Sequence, residues 1–304
     1  MINPAKKIGF IGLGLMGLPM AQNLIKAGYA VKGMEANSIQ KEKLIASGGM
    51  AAASVGDAVV DADVVISMLP DLQHVREIYL RNGGVITTAR KDTLMIDCST
   101  IDVDSARMIA SAAERRGLAI VDAPTSGGVN NAKAGKLTFM VGGSFSAFQR
   151  AKVILAKMGQ TIVHAGPAGN GQAAKICNNM ILGASMIAVS EAFVLAEKLG
   201  LDAQRLFDIV SQSSGQCWSI TSYCPVPGPV PSAPANRDYQ AGFTAALMLR
   251  DLKLSQDAAK AAGANTELAN HAMQMYSQYV QSGSAERDFS GIVEFVRNGV
   301  HYVG

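Results

Sequence analysis

Apolar positions follow two different periods along this chain. Nearly continuous apolar runs at residues 8–11, 30–34, 64–68, 94–97, 119–122, 138–141 and 161–164 predict strands. Between most of them, segments such as 19–27 and 104–116 space their apolar residues three and four apart, as amphipathic helices do. Strand and helix taking turns in this way predict an α/β fold, a Rossmann-like doubly wound and mainly parallel sheet. Gly166-Pro167-Ala168-Gly169-Asn170-Gly171 then breaks the alternation. Beyond it strand signals stop and helical periodicity dominates, so we expect a dinucleotide-binding type of domain over residues 1–165 and an all-helical domain over 166–304.

One stretch of the second domain fits neither period. Residues 224–234 carry half of the chain's ten prolines, which rules out helix and central strand. The segment reads equally as a stiff connector between helices or as a rigid lip beside a site. No repeat with a period of 20 to 50 residues is present.

Composition narrows the function classes. A chain of 304 residues that is 49% hydrophobic is long enough for two well-packed domains, and a net charge of +3 with scattered basic residues predicts no nucleic-acid partner. Cys98, Cys177, Cys217 and Cys224 have no CxxC spacing and are expected to be free thiols. His74, His164, His271 and His301 lie far apart, so no metal site is expected. The first residues run straight into a strand without a signal or transit pattern, giving a cytoplasmic expectation. The apolar stretch 176–195 approaches the length of a membrane span, but Asn178, Asn179, Ser185, Ser190 and Glu191 interrupt it, and it reads as a buried helix rather than a membrane anchor.

Candidate chemistry begins at Gly12-Leu13-Gly14-Leu15-Met16-Gly17, which follows the first strand and opens a helix. In that setting Gly12 permits the tight turn, Gly14 lets a pyrophosphate approach the backbone, and Gly17 lets helix pack close to strand, while the free N–H groups of the helix start face the phosphates. The second strand should end in a residue that reads the adenosine ribose. Glu35, 18 residues after Gly17, is an acid that can accept both ribose hydroxyls and repel a 2′-phosphate, so NAD is the expected cofactor, with Lys32 and Lys41 close enough to soften the preference over NADP.

Lys175 lies in Gly171-Gln172-Ala173-Ala174-Lys175-Ile176-Cys177-Asn178-Asn179, at the start of an otherwise apolar helix. Taken alone it is a lysine that snorkels to water. Asn179, four residues on, shares its helix face, however, and Ser126-Gly127-Gly128 after the strand at 119–122 offers a hydroxyl and unobstructed N–H groups that form an anion nest. A cation, an amide and an anion nest near a nicotinamide make a plausible hydroxy-acid site across an interdomain cleft.

At this point the chain resembles the β-hydroxyacid dehydrogenase family. The resemblance rests on residues 9–17 with Met20-Ala21-Gln22-Asn23-Leu24, on Met68-Leu69-Pro70, Asp97-Cys98-Ser99-Thr100, residues 122–128 and 171–179, and Arg250-Asp251-Leu252, in the family's order and over nearly the whole chain. Ser213-Ser214-Gly215-Gln216-Cys217-Trp218, followed by Tyr223-Cys224-Pro225-Val226-Pro227-Gly228, is most similar to its 3-hydroxyisobutyrate dehydrogenase branch. The resemblance implies that Lys175 is the catalytic lysine and that Ser126, Gly127, Gly128 and Asn179 hold the substrate carboxylate, with Trp218 in the substrate pocket. It further implies that Leu15, Met16, Leu69, Pro70, His74, Thr100 and the position of Arg250 contact the cofactor. Thr125 stands where valine is common, and Arg250 where lysine is usual.

The implied reaction is NAD-dependent oxidation of a small 3-hydroxy acid, 3-hydroxyisobutyrate to methylmalonate semialdehyde. Reduction of a related semialdehyde (tartronate or succinate) and a non-catalytic dinucleotide-binding module are the alternatives. Apolar helix surface in the second domain implies a homo-oligomer, dimer or tetramer.

Overall fold

The computed structural model describes residues 7–299, and the chain divides into two compact units between Lys175 and Ile176. The first holds a nine-stranded sheet. Its strands are β1 (Lys7–Ile11), β2 (Ala30–Met34), β3 (Met50–Ala51), β4 (Val64–Ser67), β5 (Leu94–Asp97), β6 (Ala119–Asp122), β7 (Thr125–Ser126), β8 (Leu137–Gly142) and β9 (Gly159–Gly166). They lie in the order β3-β2-β1-β4-β5-β6-β8-β7, with β9 beside β8. The first six pair in parallel, while β8 runs antiparallel to β6 and β7 and parallel to β9.

Helices cover both faces, which is why the central strands read as apolar runs. Ile8, Phe10, Val64, Ile66, Leu94 and Ile96 enter the core on one face, and Ile11, Val65 and Met95 enter the core on the other. Acid caps start two of the helices beside the strand ends: Asp71 accepts from the His74 N–H at 3.0 Å, and Asp102 from the Ser105 N–H at 2.8 Å. The helix-flanked parallel sheet expected from the alternation is the fold that forms. The two-residue strands β3 and β7 are too short to show a period, and the sequence pattern does not reveal them.

The glycine-rich break at 166–171 is not loose. Asp122, at the end of β6, accepts from the Gly169 N–H at 2.8 Å and the Gln172 N–H at 2.9 Å. The Gln172 side chain donates to the Ser99 carbonyl at 2.8 Å and accepts from the Ile101 N–H at 3.1 Å. A Cβ on Gly171 would come within 2.5 Å of the Met140 carbonyl oxygen. The start of the helix Asn170–Lys198 therefore packs with the sheet, and the first compact unit continues through Lys175.

The second unit is helical among its described residues, built on the rest of Asn170–Lys198 with Ala203–Val210, Ala245–Ala262, Glu267–Tyr279 and shorter pieces. Met186 and Ile187 pack with Met248, Leu252, Tyr276 and Phe289 in one core. Val189 and Phe193 pack with Ile220, Cys224, Val226 and Tyr239 in another. Gly183 permits the close approach of the first core, because a Cβ there would stand 3.0 Å from a Leu252 methyl. The proline-rich stretch is held by its carbonyls: Tyr239 donates to Pro225 O at 2.9 Å, and Asn236 to Val230 O at 2.8 Å. Asn170–Lys198 is the one described helix long and apolar enough to cross a membrane, and half of that apolar window is buried in protein.

Candidate active site

The three glycines of the loop differ in what a side chain on each would meet. Gly12 has φ +92°, and a Cβ on it would sit 2.3 Å from the Met68 carbonyl oxygen. At Gly17 a Cβ would fall 1.9 Å from Gly12 O, whereas at Gly14 it would meet nothing within 4 Å. The first and third glycines thus serve internal packing, and the second leaves an open face of backbone, the cradle a dinucleotide pyrophosphate requires. Leu15 is exposed and Met16 half-buried.

Residues expected to touch the cofactor gather at the C-terminal ends of neighbouring parallel strands. The loop Gly12–Gly17 follows β1, Leu69 and Pro70 follow β4, and Thr100 follows β5. Strand order reverses between β1 and β4, and open α/β sheets bind ligands at such a crevice. His74 lies in the first turn of the next helix, exposed, with its ring nitrogen 2.8 Å from Asp71.

Glu35 follows β2 and has a second task that spacing did not reveal. Its Oε2 accepts from the Leu13 N–H at 2.8 Å, and its Oε1 from Ala36 N–H at 2.7 Å and Asn37 N–H at 3.2 Å. The carboxylate thus braces the glycine loop, and of its roughly four lone-pair positions about one is left for a ribose hydroxyl. Lys32 is ion-paired with Asp57, which also accepts from the Ala53 N–H.

In the nest, Gly127 has φ +130° and Gly128 φ +68°, conformations that L side chains rarely adopt. Ser126 is half-buried beside them, and Thr125 is buried and paired with Phe139 across β7 and β8.

Lys175 closes the first unit, 9% exposed, and Asn179 follows one turn later on the same helix, 1% exposed. Within the second unit Asn179 accepts from the Asn178 amide at 2.9 Å and donates to Asp251. Arg250 places Nε and Nη2 on the other Asp251 oxygen, at 3.0 and 2.8 Å. Asn179 thereby keeps one amide N–H for a ligand. Trp218 is half-exposed and stacks on Tyr223 at 4.8 Å between ring centroids, and Tyr223 donates to Asp288 at 2.9 Å. Asp97, Asp122, Gln172 and Asp251 went unassigned in the sequence; an acid ending a buried strand, at 97 and 122, was the available signal. Among the described residues no group of three or more His, Cys, Asp or Glu could hold a metal. The four cysteines are free, and His301 lies outside the described residues.

Residues 7–166 match the family model for the NAD binding domain of 6-phosphogluconate dehydrogenase. Residues 169–296 match that for the NAD-binding region of NADP-dependent 3-hydroxyisobutyrate dehydrogenase. A probable 3-hydroxyisobutyrate dehydrogenase of Mycobacterium tuberculosis is 47% identical over 95% of this chain and 97% of its own length. An NAD-dependent L-serine dehydrogenase of Pseudomonas aeruginosa is 48% identical over 94% of this chain and 96% of its own. The solved structure of Mycobacterium tuberculosis 3-hydroxyisobutyrate dehydrogenase with L-serine superposes with a TM-score of 0.91, at 47% identity, over 96% of this chain and 99% of that one.

The glycine geometry sets up a contrast. Gly14→Ala should fold normally yet weaken NADH binding about tenfold or more, because the added methyl fills the pyrophosphate's approach. Gly17→Ala should instead cost about 1–3 kcal/mol of stability through overpacking. Thermal unfolding and calorimetric NADH titration of both variants check this; equal melting losses would remove the distinction.

Proposed function

Since the chain belongs to the 3-hydroxyisobutyrate dehydrogenase family of β-hydroxyacid dehydrogenases, we propose that it oxidises 3-hydroxyisobutyrate to methylmalonate semialdehyde, with NAD as hydride acceptor. It is an NAD(P)-binding 3-hydroxyacid oxidoreductase; the substrate and the choice of NAD are our reading. One observation carries it: a buried lysine and a buried asparagine one turn apart on one helix face. Accepting hydride from the carbinol carbon is the chemistry that the bound nicotinamide supplies. Lys175 Nζ takes the hydroxyl proton in oxidation and returns it to the carbonyl oxygen in reduction. On the first unit the Ser126 hydroxyl and the N–H groups of Gly127 and Gly128 are our choice to hold the carboxylate, which orients the carbinol; on the second, the free amide N–H of Asn179 is a further donor of the kind a carboxylate takes.

L-Serine is the second reading, supported by its place in the names of two relatives. It shares the 3-hydroxy acid skeleton, with an ammonium where 3-hydroxyisobutyrate has a methyl. Initial rates with NAD and NADP on 3-hydroxyisobutyrate, L-serine, and tartronate and succinate semialdehydes decide among them; the highest kcat/KM on any but the first overturns our choice.

Lys175→Ala should lower turnover by about two to four orders of magnitude while leaving NADH affinity within about threefold. Near-normal turnover would reject the proton-transfer role.

The preference for NAD rests on Glu35, with Lys32 committed to Asp57. Glu35→Ser combined with Ala36→Arg should shift the ratio of kcat/KM toward NADP by about tenfold or more. An unchanged ratio would leave Glu35 only its brace on the glycine loop.

The partner we infer is a second copy of this chain. Ile181, Ala188, Ala192 and Leu195 are exposed at spacings of three, four and seven along the Asn170–Lys198 helix, with exposed Leu199 just past its end, a stripe of the width one helix lays on another. Ile181→Glu with Leu195→Glu should convert the protein to monomer in sedimentation velocity. A monomeric parent, or an unchanged oligomer in the variant, would refute this interface.

A further inference from the structure

Asp97 ends β5 and is 3% exposed. Its Oδ1 accepts three hydrogen bonds, from Ser67 Oγ at 2.8 Å, Ser99 N–H at 3.1 Å and Ser99 Oγ at 2.6 Å. Each serine has one hydroxyl proton and spends it on Asp97, which fixes the direction of the next bonds. The Tyr79 hydroxyl must donate to Ser67, 2.7 Å away, and the Leu69 N–H donates to Ser99 Oγ at 2.9 Å. The carbonyl of Ser99 then takes the Gln172 amide at 2.8 Å. One carboxylate oxygen therefore registers the turn after β4, with Leu69 and Pro70, against the turn after β5, with Thr100, and both against the first turn of the helix bearing Lys175.

The other oxygen, Oδ2, is buried without a hydrogen-bond partner, and Asp97 borders a cavity of about 10 Å³ together with Ile101, Asp122 and Ala168. Burial pushes the carboxyl up to about 6, against the pull of the Ser99 and Ser67 hydroxyls, and Asp122 on β6 adds to the rise. Tyr79 and Cys98 are the other titratable groups around it. A half-satisfied carboxyl is a poor stabiliser of a core, so a contribution to stability does not account for this residue.

We propose that Asp97 is a positioning residue for the nicotinamide half of the cofactor, acting through Ser99 on the turns that carry Leu69, Pro70 and Thr100. This rests on the reading that those turns contact the cofactor, whereas the adenosine half belongs to the glycine loop and Glu35, which Asp97 does not touch. The two halves can therefore be probed separately, with NADH for the whole and AMP for the adenosine end.

The experiment measures calorimetric affinities for NADH and AMP, together with KM for NAD and kcat, in the parent, Asp97→Ala and Asp97→Asn. Asparagine keeps an acceptor oxygen at the place of Oδ1. We expect Asp97→Ala to weaken NADH about tenfold and raise KM for NAD to match, with AMP affinity unchanged, and Asp97→Asn to restore NADH affinity to within about threefold. Unaltered NADH affinity in Asp97→Ala, a parallel loss of AMP, or an asparagine variant as weak as alanine would each overturn the proposal. If Asp97→Ala does not fold, Ser99→Ala, which cuts the same link, is held to the same criteria for NADH and AMP. A parent that binds neither NADH nor NADPH would overturn the cofactor reading as well; the other failures touch Asp97 alone.

Discussion

Where the Asn170–Lys198 helix points its polar residues depends on how its first turn is held, and that turn is held by the carboxylate of Asp122. The first N–H groups of a helix have no partner within it, and an anion placed there gains from both the free donors and the helix dipole. Asp122 uses one oxygen for Gly169 and the other for Gln172, so both the height and the rotation of the helix are set. A slip of one residue would turn Lys175 by about 100° away from its present face. Glycines make the clamp possible: a Cβ on Gly142 would lie 2.5 Å from Asp122 Oδ1, and one on Gly171 would lie 2.6 Å from Asp122 O.

The same device recurs along the edge of the sheet. Glu35 follows β2, Asp97 ends β5 and Asp122 ends β6; Glu35 and Asp122 accept from backbone N–H groups of a neighbouring segment, and Asp97 accepts from the Ser99 N–H and the Ser67 and Ser99 hydroxyls rather than from a cation. Backbone donors fix a loop more tightly than a flexible lysine would, since they have no side-chain freedom to lose. The arrangement has an electrostatic cost, because Asp97 and Asp122 stand opposite one another in register. Burial raises both carboxyls above the usual range, and the backbone bonds to Asp122 offset part of that rise.

What the sequence disclosed and what it hid divide along the same physical line. Strands buried on both faces announce themselves as apolar runs, and the three glycines of the dinucleotide loop have steric roles that their spacing encodes. Asp97, Asp122 and Gln172 are tied in by hydrogen bonds to residues 30 to 73 positions away, and no local period records such a contact. The break at 166–171 shows the limit clearly. Three glycines and a proline read as a domain boundary, yet Gly169 and Gly171 are there because side chains would collide with Arg107 and with the backbone of β8. Glycine marks close approach as readily as it marks freedom.

Arginine at position 250 acquires an account from the second unit alone. Asp251 is 2% exposed, and a buried carboxylate must be matched by donors on both oxygens. Asn179 serves one oxygen, and the Arg250 fork brings Nε and Nη2 together onto the other. A guanidinium can direct two N–H bonds from one plane while its side chain stays partly in water, which the point charge of an ammonium cannot do. Both Asp251 oxygens then have donors, and the residue holds the Asn179 amide in a single orientation, its carbonyl turned toward Asn178 and one N–H left over. The guanidinium at 250 therefore acts on the amide at 179 through Asp251.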